Sequence, residues 1–138
     1  MRDIALKLNV MYVDDDAVNL RVLADMLGAC GMTVTCASSG AEALRIIEEQ
    51  TFDVVLMDLH MPGLNGVETL NELRKHPRFN RSTPVVVVTA DPSIEHDFAE
   101  MGFTGFLAKP VSMKPLLSAI LAGLQPHERL GSTRPQAN

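Results

Sequence analysis

Acidic, hydroxyl and amine side chains recur directly after short apolar runs of this chain. These residues are Asp14 with Asp15, Asp58, Thr89, and Lys109 with Pro110. The runs before them are Val10–Val13, Val54–Met57, Pro84–Val88 and Gly105–Ala108. Each polar residue alone has an ordinary explanation, since acids favour helix N-termini and a threonine or lysine often serves a loop or the solvated surface. Their common position after four separate runs indicates one site.

The elements that must position these residues alternate between strand and helix. Apolar runs flanked by turn residues predict strands at Val10–Val13, Met32–Ala37, Val54–Met57, Pro84–Val88 and Gly105–Ala108. Amphipathic stretches predict helices over 16–29, 39–49, from 65 to just before Pro77, a short one inside Asp91–Gly102, and a last one from Ser112. Strand two alternates apolar and polar residues and is expected at an edge. Right-handed crossovers then produce a doubly wound α/β fold, a parallel sheet with helices on both faces.

Capping residues predict where the helices begin. The predicted caps are Asp16, the capping boxes Ser39 with Glu42 and Asn65 with Glu68, and Asp91 before Pro92. Gly31 and Gly102 are expected to end helices. The last helix is expected to bury Leu116, Leu117, Ile120, Leu121 and Leu124.

Composition excludes several classes of protein. The chain has 138 residues, of which 46% are hydrophobic and 21% charged, with a net charge of −5. We expect one folded domain over residues 1–125 and a polar tail or linker over 126–138. The negative charge argues against nucleic acid as a partner, and no apolar stretch is long enough to span a membrane. Cys30 and Cys36 lack metal-ligand spacing and are predicted to be buried thiols of a cytoplasmic protein.

A larger resemblance comes from four motifs taken together. VDDD at 13–16, VVLMDLHMPGLNG at 54–66, VVVVTA at 85–90 and AKP at 108–110 resemble the signature set of response-regulator receiver domains. The resemblance covers about residues 8–125 and is most similar to receivers attached to hybrid histidine kinases. It implies a flavodoxin-like sheet of five strands in the order 2-1-3-4-5, with the site at the carboxyl ends of the strands.

That strand order would crowd Asp14, Asp15 and Asp58 into one small space, where like charges repel and raise one another's pKa values. A hard divalent cation with oxygen ligands, Mg²⁺ or Mn²⁺, relieves the repulsion. The resemblance implies direct ligation by Asp15 and Asp58, ligation by Asp14 more often through water, and a further ligand from the backbone carbonyl of His60. The His60 side chain would then point away from the cation.

The resemblance also implies a reaction. Asp58 would accept a phosphoryl group from a phosphohistidine of a histidine kinase or a histidine phosphotransfer protein. Lys109 would pair with one phosphoryl oxygen and Thr89 would donate its hydroxyl to another, with the Ala90 N–H close by. A cis Lys109–Pro110 peptide bond would fix the direction from which the lysine enters.

A conformational switch is implied at the same residues. Thr89 would move toward the phosphoryl group, and the aromatic ring of Phe106 would fill the space behind it; an ordinary core role for Phe106 is the alternative. The face formed by the fourth helix, strand five and the last helix would report the state to an output partner that the sequence does not name. The segment Asp91–Gly102 is about two residues shorter than the resemblance leads us to expect.

Other function classes stay open. One is a receiver that no longer accepts phosphate and acts as a binding module, and another is a flavodoxin-like cofactor protein, whose phosphate the acids after strand one would repel. A third is an aspartate-nucleophile phosphohydrolase. Such an enzyme would require a second acid two residues after the nucleophile Asp58, where this chain has His60. We expect no enzyme, because a receiver catalyses only its own phosphorylation and dephosphorylation and is consumed as a substrate.

Overall fold

The computed structural model describes residues 7–79 and 81–131, with side chains described as far as Leu124. The five strands are β1 Asn9–Val13, β2 Thr33–Ala37, β3 Val54–Asp58, β4 Val85–Thr89 and β5 Gly105–Ala108. The α-helices are α1 Ala17–Ala29, α2 Gly40–Ile46, α3 Gly66–Lys75 and α4 Met113–Gly131, and a 3₁₀ helix spans Pro92–His96. The predicted alternation of strand and helix is confirmed, with strand boundaries shifted by one residue at most.

All four strand pairings are parallel, and the order is β2-β1-β3-β4-β5, as the resemblance implied. The register pairs Val13 with Met57, Asp58 with Val88, and Thr89 with Ala108. The carboxyl ends of the four site-bearing strands are therefore level with one another. This register brings the polar residues that follow β1, β3, β4 and β5 to one edge of the sheet.

The core has two layers, one on each face of the sheet. Alternate strand residues point to opposite faces, so that Val54 and Leu56 enter one layer while Val55 and Met57 enter the other. One layer contains Leu23 and Leu27 of α1 with Leu116 and Ile120 of α4. The other contains Ala43 of α2 with Leu70 and Leu73 of α3. Burial on both faces explains the unbroken apolar runs of β3 and β4.

Two helix ends differ from the prediction. The α2 helix ends at Ile46, three residues earlier than expected, and Ile47 caps it. Its N-terminal capping box is only half formed. The Ser39 hydroxyl accepts the Glu42 N–H at 3.0 Å, but the Glu42 carboxylate accepts from the N–H and hydroxyl of Ser38, at 2.6 and 2.9 Å, instead of returning to Ser39. The capping box of α3, by contrast, is complete.

The short helix predicted inside Asp91–Gly102 is a 3₁₀ helix and not an α-helix. Asp91 caps it by accepting the Ser93 N–H at 2.9 Å, and turns continue to Gly102, whose φ is +104°. A 3₁₀ helix rises about 2.0 Å per residue against about 1.5 Å in an α-helix. The stretched form therefore lets a short segment cross from β4 to β5, with Ile94 still buried in the core.

Two side chains predicted to be buried are exposed. Cys36 lies on the edge strand β2 with one side uncovered, so it is an exposed free thiol, while Cys30 is half-buried and also free. Leu121 is 38% exposed because it follows Ile120 on α4 and is rotated about 100° away from the buried face. Neither change affects the edge that carries the polar residues.

The α4 helix continues to Gly131, past the predicted boundary at Gln125. The division into a domain over 1–125 and a tail over 126–138 stays a prediction, and residues 132–138 lie outside the described part. Among the helices that the structure describes, none combines the length and the apolar character needed to cross a membrane.

Two glycines in helices should respond oppositely to alanine. At Gly28 in α1 an added Cβ would meet nothing within 4 Å, so Gly28→Ala should raise the free energy of unfolding by about 0.5–1 kcal/mol through lower chain entropy. At Gly66 the added Cβ would lie 2.4 Å from the Asp58 carbonyl oxygen. Gly66→Ala should therefore cost about 1–3 kcal/mol. Urea denaturation of both variants checks the pair, and an equal change in the two would contradict this account of the β3–α3 approach.

Candidate functional site

Three carboxylates converge at the carboxyl ends of β1 and β3. Asp14 is fully buried and its N–H donates to the Ala37 carbonyl at 3.0 Å, while Asp58 is 5% exposed and Asp15 is exposed. Each of the three acids offers an oxygen within 4.8 Å of the other two. The predicted acidic cluster is therefore present in the structure.

Lys109 reaches this cluster from β5. Its Nζ lies 3.1 Å from Asp14 Oδ2 and 3.2 Å from Asp58 Oδ1, so one ammonium bridges two buried acids. The Lys109 N–H donates to the Thr89 carbonyl at 2.9 Å, and the peptide bond to Pro110 is cis, as the resemblance implied. The lysine thus spans β4 to reach β3, as expected for its length.

The charges in this pocket are only partly balanced. Burial, followed by the charge of Asp14, raises the pKa of Asp58 above its ordinary value, and Lys109 offsets this in part. Burial works to raise the pKa of Asp14 too, but hydrogen bonds from Tyr12, the Asp16 N–H and Lys109 lower it overall. Burial opposes the charge of Lys109, yet its two acidic partners raise its pKa. Of the groups Asp14, Asp58 and Lys109, Asp58 is therefore the one whose charged form the pocket disfavours overall.

Sequence reasoning missed Tyr12, which belongs to the site. Its hydroxyl donates to Asp14 Oδ2 at 2.6 Å, and the Asn19 amide donates to the same oxygen at 3.3 Å. Burial and the bond to Asp14 raise the pKa of Tyr12 well above that of a free tyrosine. A signal was available, because residues two apart on a strand point to the same face and Tyr12 precedes Asp14 by two.

Thr89 is buried at the same edge, 2% exposed, and its hydroxyl accepts the Asp91 N–H at 3.1 Å. Ala90 beside it is exposed. Phe106 pairs with Val87 across β4 and β5, is half-buried, and stacks on Phe98 with ring centroids 6.1 Å apart. The switch roles assigned to these residues stay predictions.

The loop after Asp58 is held tightly against α3. The Gly66 N–H donates to the Leu59 carbonyl at 2.8 Å, and only a glycine fits beside the Asp58 backbone. The His60 side chain is exposed and its Nε2 lies 3.7 Å from Asp91 Oδ2. The imidazole is thus engaged with the β4 side of the site, which leaves the His60 carbonyl as the atom that could serve the pocket.

The donor set fits a hard divalent cation. Three carboxylate oxygens within 4.8 Å of one another, two of them from buried acids, match the oxygen ligands that Mg²⁺ prefers. Burial and the charge of Asp14 raise the pKa of Asp58, and the positive charge of such a cation would offset both effects. No cysteine or histidine belongs to the cluster of candidate ligands found in the described residues, so the donors are those of Mg²⁺ or Mn²⁺ rather than zinc.

Comparison with known proteins agrees with this geometry. The chain is 36% identical over 116 residues to the sensory/regulatory protein RpfC of Xanthomonas campestris, covering 82% of this chain and 16% of that protein. It is 34% identical over 118 residues to the hybrid signal transduction histidine kinase E of Dictyostelium discoideum, covering 82% of this chain and 7% of that protein. The chain thus spans a small part of these relatives, and the predicted likeness to receivers of hybrid kinases is confirmed.

A solved structure of similar shape carries a metal. The receiver domain of a sensor histidine kinase from Pseudomonas aeruginosa superposes with a TM-score of 0.77 at 28% identity, covering 86% of this chain and 98% of that one, and has a magnesium ion coordinated in its active-site cleft. Residues 10–121 of this chain match the family described as the response regulator receiver domain. With its parallel sheet in the order 2-1-3-4-5 and its acidic pocket beside a lysine, the chain belongs to the response-regulator receiver family of two-component signal transduction.

Proposed function

We propose that the chain is a phosphoaccepting receiver and that Asp58 takes a phosphoryl group from a phosphohistidine. The observation that carries this proposal is the pairing of Asp58 and Asp14 with the single ammonium of Lys109, 3.2 and 3.1 Å away, at the carboxyl ends of β1 and β3. The donor is a histidine kinase or a histidine phosphotransfer protein, which are the partners of the family. We further propose a cytoplasmic location, where these partners act.

The reaction is a single displacement at phosphorus. A carboxylate oxygen of Asp58 forms the new P–O bond as the P–N bond to the donor imidazole breaks, and the electron pair of that bond returns to the nitrogen. Asp58 suits this role because its raised pKa marks a poorly solvated carboxylate, and because it lies at the carboxyl end of β3 beside the exposed Asp15. Phosphoryl transfer depends mainly on positioning and charge stabilisation, so few further groups are needed.

Three groups of the chain would stabilise the product. Lys109 would exchange its bond with Asp58 for one with a phosphoryl oxygen, Thr89 would turn its hydroxyl toward another, and the Ala90 N–H would add a donor. In the present structure the Thr89 hydroxyl accepts the Asp91 N–H, which leaves its own hydrogen free to be donated to a phosphoryl oxygen.

A divalent cation would be held by Asp15 and Asp58, by Asp14 through water and by the His60 carbonyl. When bound it supplies positive charge that offsets the acids and the phosphoryl oxygens. Asp14, Asp15 and Asp58 serve this purpose without any contribution from cysteine or imidazole.

The switch would use the contact between β4 and β5. As Thr89 moves, Phe106 would leave its stack on Phe98 and fill the space behind the threonine, changing the surface of the 3₁₀ segment, β5 and α4. Because Phe106 has no hydroxyl, its movement would change the packing contacts of the ring but would neither break nor form a side-chain hydrogen bond.

A second candidate function is a receiver that binds a partner without accepting phosphate. The bridge from Lys109 to both buried acids is its support, because such a bridge also stabilises the unphosphorylated fold. A phosphohydrolase is less well supported, because the exposed His60 stands where a second acid would be required.

The test is phosphorylation of the purified chain by acetyl phosphate, followed by intact mass. Wild type with Mg²⁺ should gain one phosphoryl group, and wild type with a chelator should gain none. Asp58→Asn should also gain none, because the amide is not a nucleophile toward phosphorus. Asp25→Asn, which alters an exposed acid of α1, is the matched control and should behave as wild type. A wild type that stays unmodified would favour the silent receiver.

A further inference from the structure

The hydroxyl of Tyr12 lies one hydrogen bond away from the acidic pocket. Tyr12 is 1% exposed, and its hydroxyl donates to Asp14 Oδ2 over 2.6 Å, the shortest of the bonds to that oxygen. The same oxygen also receives the Asn19 amide at 3.3 Å and Lys109 Nζ at 3.1 Å. The other oxygen of Asp14 accepts the Asp16 N–H at 2.9 Å. Both oxygens of the Asp14 carboxylate are therefore held in place by donors from the protein.

These donors leave Asp14 little capacity for a cation. An ionised carboxylate has about four lone-pair directions, and four donors already point at Asp14. Three of the four converge on Oδ2, which leaves Oδ1 as the oxygen that can still accept a hydrogen from a water. Among the residues that the structure describes, no comparable set of donors surrounds Asp15 or Asp58, since Asp15 is exposed and Asp58 meets Lys109 on one oxygen.

We propose that Tyr12 is a positioning residue that holds Asp14 as an outer, water-mediated ligand of the divalent cation and leaves Asp15 and Asp58 as the direct carboxylate ligands. This inference rests on the proposed function, because it assumes that the pocket binds a cation. Groups that hydrogen-bond to a metal's ligands fix their orientation and strongly affect affinity.

Tyr12 is the donor that can keep this role through the reaction. Lys109 would leave Asp14 Oδ2 when it turns to a phosphoryl oxygen, and the Asn19 bond is long at 3.3 Å. Asp14 is fully buried, so a carboxylate oxygen that lost its donors would be left unpaired at a large cost in free energy. The hydroxyl of Tyr12, itself buried, stays in place whichever partner Lys109 takes.

The first experiment is calorimetric titration of the full chain with Mg²⁺. Tyr12→Phe removes the hydroxyl and keeps the ring, and it should bind Mg²⁺ about 10-fold more weakly than wild type. Met11→Leu is the matched control, because Met11 is equally buried on the same strand but faces the opposite layer of the core. This control should bind Mg²⁺ as wild type does.

A second measurement separates positioning from general damage. The rate of phosphorylation by acetyl phosphate is followed as Mg²⁺ is varied. Tyr12→Phe should need about 10-fold more Mg²⁺ for its half-maximal rate, but should approach the wild-type rate at saturation. Tyr12 is the only tyrosine and the chain has no tryptophan, so its fluorescence should also respond to Mg²⁺ in the wild type with the midpoint found by calorimetry.

The outcomes distinguish this inference from the proposed function. If the wild type binds Mg²⁺ and Tyr12→Phe binds it equally well, the positioning role of Tyr12 is overturned while the phosphoacceptor stands. A lower maximal rate in Tyr12→Phe with an unchanged Mg²⁺ dependence also overturns it. A wild type that binds no Mg²⁺ overturns both, since the pocket then lacks the cation on which each depends.

Discussion

Asp58→Asn is expected to unfold at a higher temperature than wild type in the absence of divalent cations, although it accepts no phosphoryl group. Burial and the neighbouring Asp14 raise the pKa of Asp58, which means that the folded state resists its ionised form. Neutralising the side chain at pH 7 removes that penalty. We expect a gain of about 1–2 kcal/mol, as is common when a functional site gives up its strain.

The sign can be checked by varying the pH. For an acid whose folded-state pKa is raised, the folded state binds the proton more tightly, so stability falls as pH rises from the ordinary carboxyl pKa through the folded value. Wild-type Asp58 is neutral below that window and resembles asparagine there. The stability difference between Asp58→Asn and wild type should therefore shrink toward zero as pH falls below about 4.

Thermal unfolding at several pH values, with and without Mg²⁺, measures both effects. Mg²⁺ should raise the melting temperature of wild type much more than that of Asp58→Asn, because binding to the folded state stabilises it. Asp25→Asn removes an equal charge from the exposed surface of α1 and should change stability little. A destabilised Asp58→Asn at pH 7 would show that Lys109 outweighs burial and Asp14 at this position.

The fold could be predicted from sequence because its signals are local and repeated. The apolar run before Asp58 is buried on both faces, so it could only be an inner strand, and the capping box of Asn65 with Glu68 formed as its spacing predicts. The half-formed capping box of Ser39 could not be predicted, because the Glu42 carboxylate can accept from the N–H of either Ser38 or Ser39. These two groups are four and three residues away along the chain, and the structure shows the bond to Ser38. The 3₁₀ form of Pro92–His96 likewise depends on the span between β4 and β5.

Site residues could be predicted from the sequence where the side chain is charged, and they were missed where the side chain is also common in a hydrophobic core. Asp14, Asp15, Asp58 and Lys109 carry charge directly after apolar runs, and the structure brings them together. Tyr12 lies inside the apolar run Val10–Val13, so the sequence pattern predicts only a core role for it. Its hydroxyl becomes informative only when strand alternation places it on the same face as Asp14.

Lys109→Ala is expected to have the opposite effect on stability to Asp58→Asn. The lysine side chain is 21% exposed and bridges two buried acids, so its removal leaves both without their common cation. Breaking such a pair costs about 3–5 kcal/mol when it is fully buried, and partial exposure lowers our expectation to about 2–4 kcal/mol. Phosphorylation by acetyl phosphate should slow about 10²–10³-fold, because a donor to the phosphoryl oxygens is lost.

Mg²⁺ should recover much of the stability of Lys109→Ala but not its rate, since charge in the pocket can be replaced more easily than a donor at the right position. Lys75→Ala is the matched control. Lys75 pairs with Glu72 at 3.5 Å on the exposed surface of α3, where such a pair contributes less than about 1 kcal/mol. Equal losses from the two lysines in urea denaturation would contradict the bridging role of Lys109.

The double variant Lys109→Ala with Asp58→Asn isolates the interaction itself. If the cost of losing Lys109 arises from two facing carboxylates, neutralising Asp58 should remove part of it. The lysine substitution should then cost at least about 1 kcal/mol less in the Asp58→Asn background than in wild type, a coupling within the range found for residues in contact. Additive changes would mean that Lys109 stabilises the fold by packing its methylene groups between β3 and β5. The charge balance proposed for the phosphoacceptor pocket would then be wrong.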